Sequence, residues 1–227
     1  MVEKREIVPA RYVAAFSLTL LIFILGIWLG NHLAYGKLGQ LEQTGQELST
    51  LFVSLELKNE LLREDLCALD WEYLSNERVE MGNKVAMLER RLGKKNPDVL
   101  AQKRVYELIE IRSILLLEEF KKKCNTNLIK ILYFYTNKED DVKGNFATCE
   151  QQGYILNMLY REYPSIVNIF SFDINLENPA SSTLMKIYGI ESAPVLVIDN
   201  EVYAGFKKIS LLKEIIGLEE LEIDQKE

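Results

Sequence analysis

The chain has 227 residues, of which 48% are hydrophobic and 27% charged, and its formal net charge is −7. This composition excludes a disordered or fibrous chain. The acidic balance argues against a nucleic-acid partner, because binding to phosphates requires a basic surface. With His32 as the only histidine and no glycine-rich phosphate loop, we expect no histidine-based catalysis, no metal and no cofactor.

The N-terminal segment departs from the composition of a soluble protein. Residues 12–36 contain no Asp, Glu, Lys or Arg, and they include the apolar run Val13–Leu29. A helix needs about 20 apolar residues to cross the hydrocarbon layer, and it satisfies its own backbone hydrogen bonds there. We therefore predict a transmembrane anchor at residues 12–32. A cleaved signal peptide is the alternative, but the apolar run is unusually long for one and no clear cleavage site follows it.

Basic residues around the anchor indicate its orientation. Lys4, Arg5 and Arg11 precede it, while Lys37 alone follows closely. An excess of Lys and Arg marks the cytoplasmic side of a membrane helix. We therefore predict a single-pass protein in which residues 1–11 are cytoplasmic and the C-terminal domain is extracytoplasmic.

A heptad pattern after the anchor predicts a helical stalk over residues 38–92. Leucines recur at every seventh position from Leu41 to Leu69, and apolar residues often occupy the position four further on. Such a seam is typical of a coiled coil, so we expect the stalk to join two copies into a homodimer. Apolar residues off the seam leave open a helix that packs against other helices of its own chain: Leu51, Leu57 and Leu61.

A second helix is predicted after a break in the pattern. Gly93 suits the end of a helix, Pro97 suits the first turn of the next one, and Asn96 is its candidate N-cap. We predict that this connecting helix covers residues 97–124.

Beyond residue 125 the pattern changes to alternating strands and helices, which predicts an α/β domain over residues 125–218 and an acidic tail at 219–227. The first two strands are near-continuous apolar runs, as expected for strands buried on both faces. Asp199 and Asn200 form the turn of a hairpin. The predicted strands are Leu128–Thr136, Val167–Ile174, Val195–Ile198 and Glu201–Phe206. The predicted helices are Cys149–Tyr163, Pro179–Tyr188 and Ile209–Ile216.

The order βαβαββα and the segment Tyr188–Ile198 (YGIESAPVLVI) resemble the thioredoxin-like superfamily. The likeness covers roughly residues 126–217. It implies a thioredoxin-like fold in which the Ala193–Pro194 peptide bond is cis, lies against the redox site and shapes a peptide-binding surface. Oxidoreductases of this family carry a C-x-x-C motif at the start of the helix after the first strand.

Cys149 alone lies where the resemblance implies that motif. If it is the first cysteine, Gln152 replaces the second and the site is monothiol. If it is the second, Phe146 replaces the first and disulfide exchange is lost; the spacing to Ile155 and Leu156 favours this arrangement. A helix N-terminus can lower the pKa of a thiol, which makes Cys149 a candidate catalytic residue. The alternative is a small buried apolar residue.

Two further cysteines and a long connection complete the domain's candidate features. Cys124 precedes the first strand, too far from Cys149 for a disulfide. Cys67 is placed either to cross-link two stalks or to meet Cys124 if the helices fold back. The connection Asn137–Thr148 is longer than is usual in the family, and we expect its acidic residues to be solvated: Glu139, Asp140 and Asp141.

These features predict a membrane-tethered thioredoxin-like protein. Its expected function is monothiol disulfide exchange, or redox-linked binding of cysteine-containing or unfolded protein partners outside the membrane. The alternative is a non-catalytic interaction or scaffold protein that dimerises through its stalk. The incomplete motif leaves both open.

Overall fold

The computed structural model describes residues 9–61 and 65–218. The first eight residues of the predicted cytoplasmic segment, Leu62 of the predicted seam and the predicted acidic tail 219–227 lie outside the described residues.

The chain divides into two compact units, Met1–Gln43 and Thr44–Glu227. The first unit holds the N-terminal part of helix α1 (Pro9–Leu61). Its segment Ala10–His32 is long and apolar enough to cross a membrane and has no buried part, as lipid-facing side chains require. Within the described part of the chain it is the one such helix, which agrees with a single anchor at residues 12–32. The orientation of the anchor stays a prediction.

In the second unit two helices follow α1, and cap residues delimit both. Helix α2 (Trp71–Leu92) begins after Asp70, whose side chain accepts a hydrogen bond from an amide of the first turn, and it ends at Gly93 with a positive φ of 97°. Helix α3 (Pro97–Cys124) begins after Asn96, which accepts hydrogen bonds from two first-turn amides. Asn96 is therefore the N-cap, as predicted.

The predicted stalk at 38–92 is not one continuous helix. Helix α1 ends at Leu61, and a 3₁₀ turn at Leu66–Ala68 precedes α2. The seam residues Leu48 and Leu55 are 0% and 1% exposed, in a core shared with α2 and α3. The stalk prediction is wrong in this respect, and the alternative of packing within the chain holds. Leu48 and Leu55 are therefore covered by their own chain, and the homodimer stays a prediction.

A disulfide joins the turn after α1 to the end of α3. It links Cys67 to Cys124, with Cα atoms 5.5 Å apart. Of the two partners left open for Cys67, the structure shows the one within its own chain. Four residues further on, Trp71 donates its indole N–H to Asn168 Oδ1 at 2.8 Å and stacks on Phe120. These contacts attach the helices to the sheet.

The sheet has four strands in the order β2-β1-β3-β4. The strands are β1 (Ile129–Tyr135), β2 (Val167–Asp173), β3 (Val195–Ile198) and β4 (Glu201–Ala204). β1 pairs parallel with β2 and antiparallel with β3, and β4 forms a hairpin with β3. Asp199 and Asn200 take the positive φ angles that this turn requires, 42° and 82°. The predicted α/β class and element order are confirmed.

Helices cover both faces of the sheet. They are α4 (Phe146–Glu162), α5 (Pro179–Tyr188) and α6 (Ile209–Ile215) together with α3. Because side chains alternate along a strand, β1 contributes to two cores. Leu132 and Phe134 pack in the core with α3 and α5, and Ile131 and Tyr133 pack in the core with α4 and α6. The fully buried Phe134 alone stabilises the fold by roughly 2–3 kcal/mol.

Candidate functional site

The start of α4 determines the surroundings of Cys149. The side chain of Asn145 accepts a hydrogen bond from the N–H of Thr148 at 2.9 Å, so the helix begins at Phe146 rather than at Cys149 as predicted. The N–H of Cys149 donates to the Asn145 carbonyl at 3.0 Å, an ordinary helical bond. Cys149 therefore follows the free amides of the first turn instead of preceding them.

The Cys149 side chain is buried. It is 2% exposed, and burial raises the pKa of its thiol, although contacts with Thr136 and Tyr133 act in the opposite direction. The Tyr133 hydroxyl also donates a hydrogen bond to the Cys149 carbonyl. A raised pKa leaves little thiolate at neutral pH, and the thiolate is the nucleophile. Burial and the raised pKa favour the structural alternative, and the catalytic role of Cys149 stays a prediction.

Ala193 and Pro194, the predicted peptide-binding residues, lie beside the segment that enters α4. Their peptide bond is cis, and both residues are buried. The N–H of Ala193 donates to the Lys143 carbonyl at 2.8 Å, and its carbonyl accepts from the N–H of Asn145 at 3.4 Å. We call residues 143–145 the strap. The strap therefore occupies both backbone polar groups of Ala193.

Gly144 permits this close approach. A Cβ atom there would lie 2.8 Å from the Ala193 carbonyl oxygen and 3.1 Å from the Ala193 Cβ. Contacts as short as the first essentially never occur with backbone atoms, so any other residue would push the strap away from Ala193. The close contact between the strap and Ala193 therefore requires a glycine at position 144.

Asp141 holds the segment that leads into the strap through three hydrogen bonds. Its carboxylate accepts hydrogen bonds from the Thr136 hydroxyl and the Asn175 side-chain amide, both at 2.6 Å, and from the N–H of Lys143 at 3.0 Å. The hydrogen bond from Thr136 is the main cause of its lowered pKa. Asp141 is therefore half-buried and bonded instead of solvated as expected, whereas Glu139 and Asp140 are exposed.

On the other side of Cys149 lies a cavity of about 450 Å³, a volume typical of small-molecule sites. Tyr133 and Tyr135 of β1 form part of its lining, with their rings stacked 5.3 Å apart. Residues of α2, α3, β2 and α4, together with Thr136 and Asn137 after β1, supply the rest of the lining. Cys149 faces this space, so the one predicted catalytic residue contacts a cavity that the sequence did not predict.

A buried ion pair forms one wall of the cavity. The guanidinium of Arg78 donates to the Glu110 carboxylate and to the Ile169 carbonyl, both at 2.8 Å, and lies 4.4 Å from the centre of the Phe170 ring. Arg78 and Glu110 are 2% and 1% exposed. Burial disfavours both charges and raises the pKa of the Glu110 carboxyl, while the Arg78 charge acts in the opposite direction.

A second buried cation, Lys103, lies on α3 about two turns before Glu110. Lys103 donates to Asp173 at 2.8 Å and to Glu89 at 2.9 Å. Burial alone would lower the pKa of Lys103, but Tyr135, Asp173 and Glu89 outweigh that effect and raise it. One turn away, burial raises the pKa of Glu107 to about 7, against the hydrogen bond from the Asp173 amide. The cavity therefore lies against several buried carboxylates.

Sequence reasoning missed this cavity because its walls come from segments assigned to a stalk and a connecting helix. Arg78 and Lys103 look like ordinary surface charges in a helical pattern, and no local signal marks them as buried. No protein-family model matches the chain, and a search of curated proteins finds no match. The arrangement of the site is therefore the basis for a functional proposal.

Proposed function

We propose that this chain is a single-pass membrane protein whose thioredoxin-like domain lies outside the membrane and binds partner polypeptides without exchanging disulfides. The observation that carries the proposal is the position of the thiol. Phe146 occupies the first position of α4, beside the strap and Ala193, while Cys149 is one turn further on and 2% exposed. Disulfide exchange needs an accessible thiolate.

The thioredoxin-like assignment is supported by the arrangement of the elements. A parallel β1–β2 pair is extended by the antiparallel β3–β4 hairpin, with helices on both faces. Pro194 directly precedes β3 and lies in the loop that contacts the start of α4. These are the places that the resemblance in Tyr188–Ile198 implies for the proline and the redox helix.

Two independent features support an extracytoplasmic domain. More basic residues precede the anchor than closely follow it. The disulfide between Cys67 and Cys124 belongs to an oxidising compartment, since cytosolic thiols are kept reduced. Both favour the same orientation, with residues 1–11 in the cytoplasm.

The chemistry of Cys149 tests the non-catalytic part of the proposal. In the oxidised chain Cys149 is the free cysteine, so iodoacetamide labelling followed by mass spectrometry reports on it alone. We expect labelling of the folded full-length protein in detergent to be at least about tenfold slower than that of the unfolded chain, with a midpoint above the ordinary thiol pKa of about 8.5.

The variant Phe146→Cys with Cys149→Ser is the matched control, because it moves the thiol to the first position of the same helix. We expect it to react faster than the wild type and at lower pH. A wild-type midpoint below about 8.5 would instead restore monothiol exchange as the leading function.

The strap tests the partner-binding part of the proposal. Replacing Gly144 with alanine places a Cβ against Ala193 and should displace the strap, exposing the Ala193 N–H and carbonyl. Overpacking of this kind costs about 1–3 kcal/mol, so the open form becomes more populated and apparent affinity for an unfolded polypeptide should rise about tenfold. Carboxymethylated α-lactalbumin, which cannot refold, is a suitable probe in a fluorescence anisotropy measurement.

Val142→Ala is the control in the same loop, because Val142 is 99% exposed and should be neutral. Unchanged or weaker binding by Gly144→Ala would place any binding surface away from Ala193.

A further inference from the structure

Strand β2 lies at the end of the sheet order and pairs with β1 on one side. Hydrogen bonds at the two ends of this pair show which residues face β1. The N–H of Ile129 donates to the Ile166 carbonyl at 2.8 Å, and the N–H of Ile174 donates to the Tyr135 carbonyl at 2.9 Å. Successive residues of a strand direct their backbone groups to opposite sides, so the even-numbered residues of β2 face β1. The odd-numbered residues of 167–173 therefore direct their N–H and C=O groups to the open edge.

Side chains of α2 and α3 bond to this open edge at two points. Arg78 donates to the Ile169 carbonyl, and the N–H of Asp173 donates to the Glu107 carboxylate. Ser171 lies between these points, and among the residues that the structure describes none bonds to its N–H or its C=O. Arg78, Glu107 and Ser171 all line the cavity. A short stretch of unpaired sheet edge therefore forms part of the cavity wall.

The two free backbone groups of Ser171 determine what can pair with them. Ser171 is half-buried, and unpaired backbone groups that are shielded from water cost free energy. A carboxylate offers acceptors alone and an ammonium group donors alone, so neither satisfies an N–H and a C=O together. An extended amino-acid residue does, because its own N–H and C=O exchange two hydrogen bonds with the residue opposite it. The edge therefore favours a peptide backbone over either kind of ion.

The buried charges around the cavity are paired within the chain. They form two groups: Arg78 with Glu110, and Lys103 with Glu89 and Asp173. Charges paired in this way neutralise one another, so the interior favours a ligand without net charge. The rings of Tyr133 and Tyr135 line the same space and offer apolar contact to the side chains of such a ligand.

The opening of the cavity limits the length of the ligand. Among the lining residues, Asn83 of α2 and Asn157 of α4 are exposed, so the cavity opens between these helices. Contacts close the opening at both ends, through the pairs Asn76–Tyr160 and Lys94–Glu150. Residues 150 and 160 of α4 are about 15 Å apart along the helix axis. An extended peptide spans about 3.3 Å per residue, so three or about four residues fit between the contacts.

From the unpaired backbone of Ser171, the paired charges and the length of the opening, we propose that the cavity binds a short neutral peptide, which adds to the β2 edge as an extra strand. This site is separate from Ala193 and the strap and does not depend on partner binding there. Gly144→Ala therefore leaves the affinity for the short peptide unchanged. Substitutions at Ser171 leave the binding of carboxymethylated α-lactalbumin unchanged.

The peptide acetyl-Ala-Val-Ala-amide and its analogue with an N-methyl group on each residue form a matched pair of probes. They share their charge and side chains, but the residues of the analogue have no backbone N–H to donate. Isothermal titration of the full-length protein in maltoside detergent should show the parent peptide binding at least about tenfold tighter, because the analogue leaves the Ser171 carbonyl without a donor. Equal affinities, or no binding of the parent peptide at about 10 mM, would overturn the proposal.

Substitutions at Ser171 locate the site. Ser171→Pro removes the N–H at the open edge and no hydrogen bond to β1, and proline is tolerated on edge strands in this orientation. Ser171→Ala keeps the N–H and is the matched control. We expect the proline variant to bind the parent peptide at least about tenfold more weakly and the alanine variant to bind it like the wild type.

Ser171→Leu is a second test that keeps the strand backbone. Ser171 is paired with Tyr133 in the register of β1 and β2, so a leucine there fills the cavity beside the Tyr133 ring. We expect this variant to lose peptide binding. The fluorescence of Trp71 during urea unfolding checks that each variant is folded. Wild-type affinity in a folded proline or leucine variant would contradict the assignment to this edge.

Discussion

Replacing Arg78 with methionine is expected to lower the free energy of unfolding by about 3–5 kcal/mol, the usual cost of removing one member of a buried ion pair. The substitution leaves the Glu110 carboxylate buried without its cation and the Ile169 carbonyl without its donor. Urea unfolding of the full-length protein in detergent measures the change. The fluorescence of Trp71, which is 8% exposed, reports on the unfolding of this region.

Two variants separate the ion pair from general damage to α2. Arg78→Met combined with Glu110→Leu removes both charges and should recover most of the lost stability, since apolar replacement of a buried pair is often neutral. Lys84→Ala removes a half-exposed partner of Glu47 and Glu80 from the same helix, and should cost less than about 1 kcal/mol. An equal loss in Arg78→Met and Lys84→Ala would contradict the burial of the Arg78–Glu110 pair.

The α/β part of the fold could be predicted from the sequence because its signals are local. Buried strands appear as apolar runs, and Asp199 and Asn200 suit the positive φ of a hairpin turn. The errors are at the boundaries. Helix α4 starts at Phe146 because Asn145 caps it, and Asn145 is a residue type that the sequence could have marked as an N-cap. This small shift decided the surroundings of Cys149.

The helical part could be predicted only as helix, because the heptad pattern does not say what covers its apolar side. Leu48 and Leu55 would follow the same spacing in a coiled coil and in a helix packed on its own chain. Three features distinguish the packed helix from the coiled coil: the break before α2, the hydrogen bond from Trp71 to Asn168, and the disulfide at Cys67. None of these contacts has a local sequence signal.

The cavity could not be predicted, because it depends on charges that meet across long stretches of chain. Arg78 pairs with Glu110 and Lys103 with Asp173, in segments that were assigned to different parts of the protein. Charged residues are rarely buried unless they are paired with an opposite charge. Their burial therefore depends on tertiary contacts that the local sequence does not show. As a result, α2 and α3 form part of the cavity wall, although the sequence assigned them to a stalk and a connecting helix rather than to the α/β domain.

Opening the Cys67–Cys124 disulfide is expected to lower the free energy of unfolding by about 4 kcal/mol, the chain-entropy value for a loop closed by residues this far apart. Their separation is 57 residues. Cys67 is exposed, so a mild reductant reaches the bond in the folded protein. Urea unfolding of the oxidised and reduced full-length protein measures the difference, and the double variant Cys67→Ser, Cys124→Ser should unfold like the reduced wild type.

The same disulfide connects the fold with the proposed orientation. Protein isolated from membranes under conditions that trap thiols should migrate as a monomer without reductant. After denaturation it should take up one maleimide-polyethylene glycol label, at Cys149, and three labels once reduced. A dimer that separates on reduction would mean that Cys67 or Cys124 cross-links two chains. Three labels without reduction would mean that the domain lies in a reducing compartment, and the extracytoplasmic assignment would then fail.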